Sequence, residues 1–286
     1  MKNRELGILD RSSTNQTYQT PTQALVPFLI ISFSIAWGII GLYVFLGDSM
    51  EALFGQLTGN HPLFFLAVYS PAIAAIILVL RAGGLRGLRL FLRRALLWRC
   101  DAAWYAFLLL GVPLIFIAGS ALRGNLLSEA FPFSTFTAGL VAMLLAMIKG
   151  PIEEFGWRGL ALPLLQRKFV PFWAGLILGV IWGLWHVPAF LLSGTQQSQW
   201  SFGAFFAGCL AISVIATALF NRSGGSILLS AFFHFSLMNP IFPDAQPYDT
   251  YILIATASLV VWWNRESMFT KWDSVVEVIP GTNNNR

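Results

Sequence analysis

Charge is what this sequence has least of. Only 11% of its 286 residues are Asp, Glu, Lys or Arg, against about 25% in an average soluble domain. Strand-like alternation is missing too, which excludes a membrane barrel and leaves helices as the elements that satisfy backbone groups in lipid. The two cysteines, Cys100 and Cys209, lie far apart without CxxC spacing, so neither a disulfide framework nor a thiolate zinc site is expected. Residues 1–24 are polar and lack a basic head followed by a short apolar core, so no removable signal peptide is expected. No His-Glu-x-x-His stretch occurs.

What is present is apolar length. Hydrophobic residues make up 56% of the chain and the mean hydropathy is +0.68. Runs of spanning length predict an all-α polytopic membrane bundle rather than soluble domains. Eight spans are expected near 25–46, 63–80, 102–122, 139–165, 172–192, 201–220, 227–241 and 250–263, the last two short. The chain thus divides into a polar tail (1–24), a helical bundle (25–263) with its chemical core near 139–241, and a second polar tail (264–286) that reads as disordered.

Basic residues fall on alternate loops. Arg81, Arg86, Arg89, Arg93, Arg94 and Arg99 follow the second span, Arg167 and Lys168 the fourth, Arg222 the sixth, and Arg265 and Lys271 the eighth. The opposite loops carry Asp48, Glu51, Glu129, Asp244 and Asp249, with Arg123 as their lone cation. The positive-inside rule then places both termini in the cytoplasm. In the 81–99 loop, Leu85, Leu88, Leu92 and Leu96 recur near helical spacing among the arginines. The pattern predicts an amphipathic helix on anionic lipid headgroups, so the net charge of +5 needs no nucleic acid to explain it.

The exception to apolarity is Gly150-Pro-Ile-Glu-Glu-Phe-Gly-Trp-Arg158. A charge at the bilayer centre costs roughly 2.5–3.5 kcal/mol, so Lys149, Glu153, Glu154 and Arg158 left unpaired would cost on the order of 10 kcal/mol. Pro151 removes a backbone donor and is expected to break the helix. Glu154 and Arg158 stand at i and i+4 in the favourable order for an ion pair, which leaves Glu153 less committed, with Lys149 one turn before it. His186 lies in the fifth span. The turn centred near Phe169 and Val170 is sixteen or seventeen residues from both Glu153 and His186, so an antiparallel hairpin sets the two at similar depth. His234, nine residues past Gly224-Gly225, comes out shallower by roughly 10 Å on ideal helices. Gly175, Gly179 and Gly183 form a small-residue ridge for close helix packing. Any one of these groups has a structural reading: a buried histidine can be a bonded core residue, and a Glu–Arg pair can be purely structural. A proton-coupled transporter is a further class, but it predicts two similar halves and no repeat is visible.

Glu153-Glu154-x-x-x-Arg158, Trp182-x-x-x-His186 and His234 with Asn239 together resemble the CPBP family of CAAX prenyl endopeptidases and bacteriocin-processing or self-immunity (Abi) membrane proteins. The resemblance covers about 139–240 and implies eight helices and an intramembrane endopeptidase acting on a membrane-associated peptide, its cavity open toward the cytoplasm. It implies that Glu153 and His186 activate water, that His234 and the asparagine hold the oxyanion, and that Glu154 and Arg158 support them. The family also includes immunity or peptide-binding proteins that cut nothing. Two positions depart from the pattern: Trp182 replaces the usual Phe, and Asn239 stands at i+5 from His234 instead of i+4, about 140° away on a regular helix. The family is described both as metalloproteases and as glutamate-dependent proteases. Glu153, Glu154, His186 and His234 are ligands of the sort zinc takes, and the sequence leaves metal open.

Overall fold

The computed structural model describes residues 20–126, 133–193, 195 and 197–281. The head 1–19, the end 282–286 and Glu129 lie outside the described residues. Among those described, no strand occurs and six helices are long and apolar enough to cross a bilayer. The architecture is a polytopic helical bundle, an integral multi-pass membrane protein.

Helix α1 (Leu25–Phe45) leads through the short α2 (Gly47–Phe54) into α3 (Pro62–Leu92), which packs along α1. Then come α4 (Ala102–Arg123) and the interrupted α5 (Phe136–Gln166). Helix α6 (Pro171–Leu191) packs on α7 (Phe202–Arg222). The glycine ridge lies in that contact. A Cβ on Gly175, Gly179 or Gly183 would come within 2.6 Å of Thr217, 2.9 Å of Leu210 or 2.6 Å of Phe206 respectively, all on α7. Helix α8 (Ile227–Leu237) and α9 (Tyr248–Trp263) complete the bundle. Both fall short of the roughly 20 residues a full crossing takes. With 11 residues, α8 rises only about 16 Å, and irregular chain carries on to α9.

Two expectations need correction. The 81–99 segment is helical, but it is the continuation of α3 past a kink at Gly84 (φ 57°), and it is docked on the bundle. Gly87, Leu90, Phe91 and Arg94 form its buried side, while Leu85 and Leu96 are 80% and 73% exposed. Arg94 donates to the carbonyls of Gly225 (3.1 Å) and Glu277 (2.6 Å).

The second concerns the tail. Residues 265–268 form a helical turn, and 275–279 lie as a strap across the arginine-rich end. The strap's backbone is read by side chains. Gln166 Nε2 donates to the Val275 carbonyl at 2.8 Å, Arg167 Nε to that of Val276 at 2.9 Å, and the Val275 N–H donates to Asn221 Oδ1 at 3.0 Å. Val278 and Ile279 are buried in the same core cluster as Phe91 and Ile227. A tail of polar composition is held because its two buried apolar residues and its backbone groups all find partners. Ile279→Ala should therefore destabilise the protein by about 2–5 kcal/mol. A lower unfolding midpoint in detergent, with faster proteolytic removal of the tail, would check this.

Candidate active site

The site is built on an interruption. Helix α5 runs regularly to Ile148, and Lys149 then leaves helical space (φ −84°, ψ −94°) before a 3₁₀ turn at Gly150–Glu153. Pro151 has no N–H to continue the ladder. The Ile148 carbonyl freed at the helix end accepts from the Tyr69 hydroxyl at 2.7 Å. Lys149 lines the same cavity as Glu153, but its Nζ donates to Asn60 Oδ1 at 2.8 Å and no hydrogen bond joins it to Glu153 among the described residues. A π-helical turn at Trp157–Ala161 follows, a distortion frequent at functional sites. Gly156 lets this segment meet α3, since a Cβ there would lie 2.5 Å from the Pro71 carbonyl oxygen.

The adjacent glutamates have different partners. Glu154 Oε1 accepts from Arg158 Nη1 at 3.0 Å and from His234 Nδ1 at 2.8 Å, and all three residues are buried. Glu153 Oε2 accepts two indole N–H bonds, from Trp157 at 3.1 Å and Trp182 at 3.0 Å. Its Oε1 makes no hydrogen bond among the described residues. The pair at i and i+4 is as the spacing predicts. Its third member, His234, is not where helix counting put it. The offset does not hold: the 93–97 segment covers the turn after the exposed Gly224, Arg94 binding the Gly225 carbonyl and the capping Ser226 Oγ donating to the Leu97 carbonyl, so α8 begins beneath that segment.

His186 presents Nδ1 to the Trp182 carbonyl at 2.7 Å. A carbonyl only accepts, so Nδ1 carries the proton and the neutral ring offers a lone pair at Nε2. Trp182 is the hub of the site: its indole donates to Glu153, its carbonyl holds His186, and its ring faces His186 (5.3 Å), His234 (5.4 Å) and the Arg158 guanidinium (5.1 Å). Sequence reasoning noted Trp182 only as a substituted aromatic and gave Trp157 no role. The signal was available, since Trp157 stands at i+4 from Glu153 and Trp182 one turn before His186.

Helix α8 ends at Leu237, so the 140° offset of Asn239 does not apply. Asn239 sits in the following turn, its Oδ1 accepting the Ile241 N–H at 3.0 Å, which leaves its amide N–H groups for other partners. Glu153, His186, His234 and Asn239 line one cavity of about 530 Å³, with Trp182, Trp185 and Phe205 among its apolar walls. Glu154 and Arg158 stand behind it. Loop residues in the lining come from 197–200 and 239–246, the face of Asp244 and Asp249.

Among the described residues, no three His, Cys, Asp or Glu side chains converge to hold a metal ion. Glu153 Oε2 and Glu154 Oε1 are each occupied by two N–H donors, whereas Glu153 Oε1, Glu154 Oε2 and His186 Nε2 keep lone pairs without a partner among the described residues.

Gly150 gives a direct test of the geometry. A Cβ there would fall 2.1 Å from Met238 Sδ and 2.7 Å from His234 Nε2; the thioether can move, but the imidazole is tied to Glu154. Gly150→Ala should displace His234 and abolish its function while the fold persists, read as lost activity with an unchanged elution profile. Glu154→Ala should instead cost about 3–5 kcal/mol of stability, because Arg158 is left buried without its counter-charge.

Comparison with known proteins finds two similarities. Residues 134–239 match the family model for type II CAAX prenyl endopeptidase Rce1-like proteins. The chain is 30% identical over 178 residues to a CAAX prenyl protease 2 of Methanococcus maripaludis, an alignment covering 58% of this chain and 65% of that protein. The chain thus spans a little under two thirds of that relative's length. The stretch 134–239 that is similar to the Rce1-like, type II CAAX prenyl endopeptidase family holds Glu153, Glu154, Arg158, His186, His234 and Asn239.

Proposed function

We propose that this chain is an intramembrane endopeptidase that hydrolyses a peptide bond of a membrane-associated peptide or protein. One observation carries the reading: a buried carboxylate, Glu153, is fixed by two indole donors on one oxygen and left unbonded on the other, inside a cavity shared with two histidines and an asparagine. Such a carboxylate suits a general base, which must be oriented and have a lone pair toward water. His186 has its Nε2 lone pair available for the same water, its ring held by Trp182.

The tetrahedral oxyanion needs fixed donors in a site of low dielectric. Asn239 offers its amide N–H groups. His234 lines the same cavity, held through its Nδ1 by Glu154. Glu154 and Arg158 act as positioning residues that hold His234. Outside the site, exposed Leu85, Leu92 and Leu96 beside Arg86, Arg89 and Arg93 support a contact with anionic lipid headgroups.

Purified protein with a library of membrane-anchored peptides tests this. Glu153→Gln keeps an acceptor for both indoles, so its unfolding midpoint should stay near wild type while cleavage falls by about 10²–10⁴-fold, the range of a general base. His186→Ala should lose cleavage likewise. Cleavage that survives both substitutions would refute the assignment.

A further inference from the structure

We infer that α4 sets the place of Asn239 in the cavity: Phe116 and Arg123, acting through Phe242 and Asp244, are positioning residues for that amide. What Asn239 does there rests on the peptidase reading; how it is held rests on geometry alone.

The segment after α8 has no helix to keep it in place. All of 239–246 except Ile241 line the cavity, yet the stretch is irregular, and Pro240 and Pro243 have no N–H to donate. Asn239 opens a closed turn. Its carbonyl accepts the Phe242 N–H at 3.1 Å, and its Oδ1 accepts the Ile241 N–H at 3.0 Å. These two bonds make 239–242 one unit, so a contact that fixes Phe242 also fixes the asparagine side chain.

The fixing contacts come from one face of α4. Phe116, Gly119, Ser120 and Arg123 stand at i, i+3, i+4 and i+7, hence on the same side of the helix. The Phe116 ring stacks on Phe242, with centroids 5.3 Å apart and planes at 25°. Gly119 lets the loop close in, since a Cβ there would lie 2.8 Å from that of Ala245 and 3.0 Å from the Asp249 nitrogen. Arg123 pairs with Asp244 Oδ2, and its Nη1 also donates to the Asp244 carbonyl at 3.3 Å.

The end of α4 adds a further contact. Gly124 is left-handed (φ 85°), and the Asn125 N–H returns to the Ser120 carbonyl at 3.2 Å, as in a Schellman motif. Asn125 is thereby folded back, its Oδ1 accepting from Ser120 Oγ at 2.6 Å and its Nδ2 donating to the Asp244 carbonyl at 2.9 Å. Helix α8 thus holds Asn239 from before, and α4 holds the loop after it at Phe242, Asp244 and Ala245.

An exposed ion pair adds little to stability. The Arg123 and Asp244 side chains are 37% and 27% exposed, so their contact decides where the loop sits more than whether the chain folds. Position matters because an oxyanion donor has to be in place before charge develops.

Arg123→Ala in the full chain tests this. Its unfolding midpoint should stay near wild type, while amide hydrogen exchange over 239–246 becomes faster. On a membrane-anchored peptide that the wild type cleaves, kcat should fall about 10-fold, less than the roughly 10²–10³-fold that losing an oxyanion donor costs, with little change in KM. Arg123→Lys should recover most of the rate, and Phe116→Leu, which loses the ring contact, should give the same kcat-only loss. In an Asn239→Ala background Arg123→Ala should cost nothing further, because its effect passes through that amide. An undiminished loss in that background, or unchanged exchange over 239–246, overturns the inference. Faster exchange in Arg123→Ala with no peptide cut by the wild type would uphold the α4 contact and count against the peptidase reading.

Discussion

The carboxylate of Glu154 is the constraint on which the rest of this structure depends. It is buried between Arg158 on its own helix and His234 on α8, within 3.0 and 2.8 Å. A buried ion pair seldom adds net stability, because desolvation offsets the attraction, yet removing one partner is strongly destabilising. The pair therefore specifies more than it stabilises. Helix α8 can dock in one register only, the one that brings His234 to Glu154, and that register sets His234 against Gly150, where no side chain intervenes. With Glu154 so occupied, its neighbour Glu153 is the carboxylate left to face the cavity. Two adjacent glutamates acquire separate tasks from their surroundings.

Trp182 links that register to the second half of the site. It bridges Glu153 on α5 to His186 on α6, and its ring lies against Arg158. The site is thus a set of interactions between helices that the glycines bring close. Gly156 meets Pro71 of α3, and Gly175 and Gly179 meet α7. A methyl group at any of these contacts would push apart the helices that carry the polar groups, and a displacement of even 1 Å at a catalytic constellation is costly.

Much of this was legible in the chain. Apolar runs gave the bundle, the i, i+4 spacing gave the Glu154–Arg158 pair, and Pro151 marked the helix break. The equal counts from Phe169 and Val170 brought Glu153 and His186 to one cavity. What failed were inferences that assumed ideal, surface-to-surface helices. His234 was placed too shallow because α8 begins beneath the 93–97 segment. The 140° offset of Asn239 holds only on a helix that continues past Leu237, and α8 stops there. The tail 264–281 read as disordered because its composition is polar, but its order depends on two buried residues and on acceptors and donors from Arg94, Gln166, Arg167 and Asn221, none of which a local reading of the tail contains. The two indole bonds to Glu153 were missed for a simpler reason: no acceptor was sought for the N–H of Trp157 or Trp182, although a buried indole usually finds one.

The shortness of α8 also explains why the cavity exists where it does. Eleven residues cannot cross a hydrocarbon core, so the chain completes the distance as irregular backbone through 238–247. Irregular backbone is tolerated at membrane depth only where it is buried in protein or lines a wet cavity. Its N–H groups are met locally, Ile241 by Asn239 and Gln246 by Asp244, and the same stretch forms one wall of the cavity. The opposite end of α8 has no such freedom, because Gly225 is bound by Arg94 and Ser226 by Leu97. One end of α8 is thereby fastened, and the other runs on into the cavity wall. A helix too short to span is the feature that leaves room for a cavity beside Glu153 inside an otherwise apolar bundle.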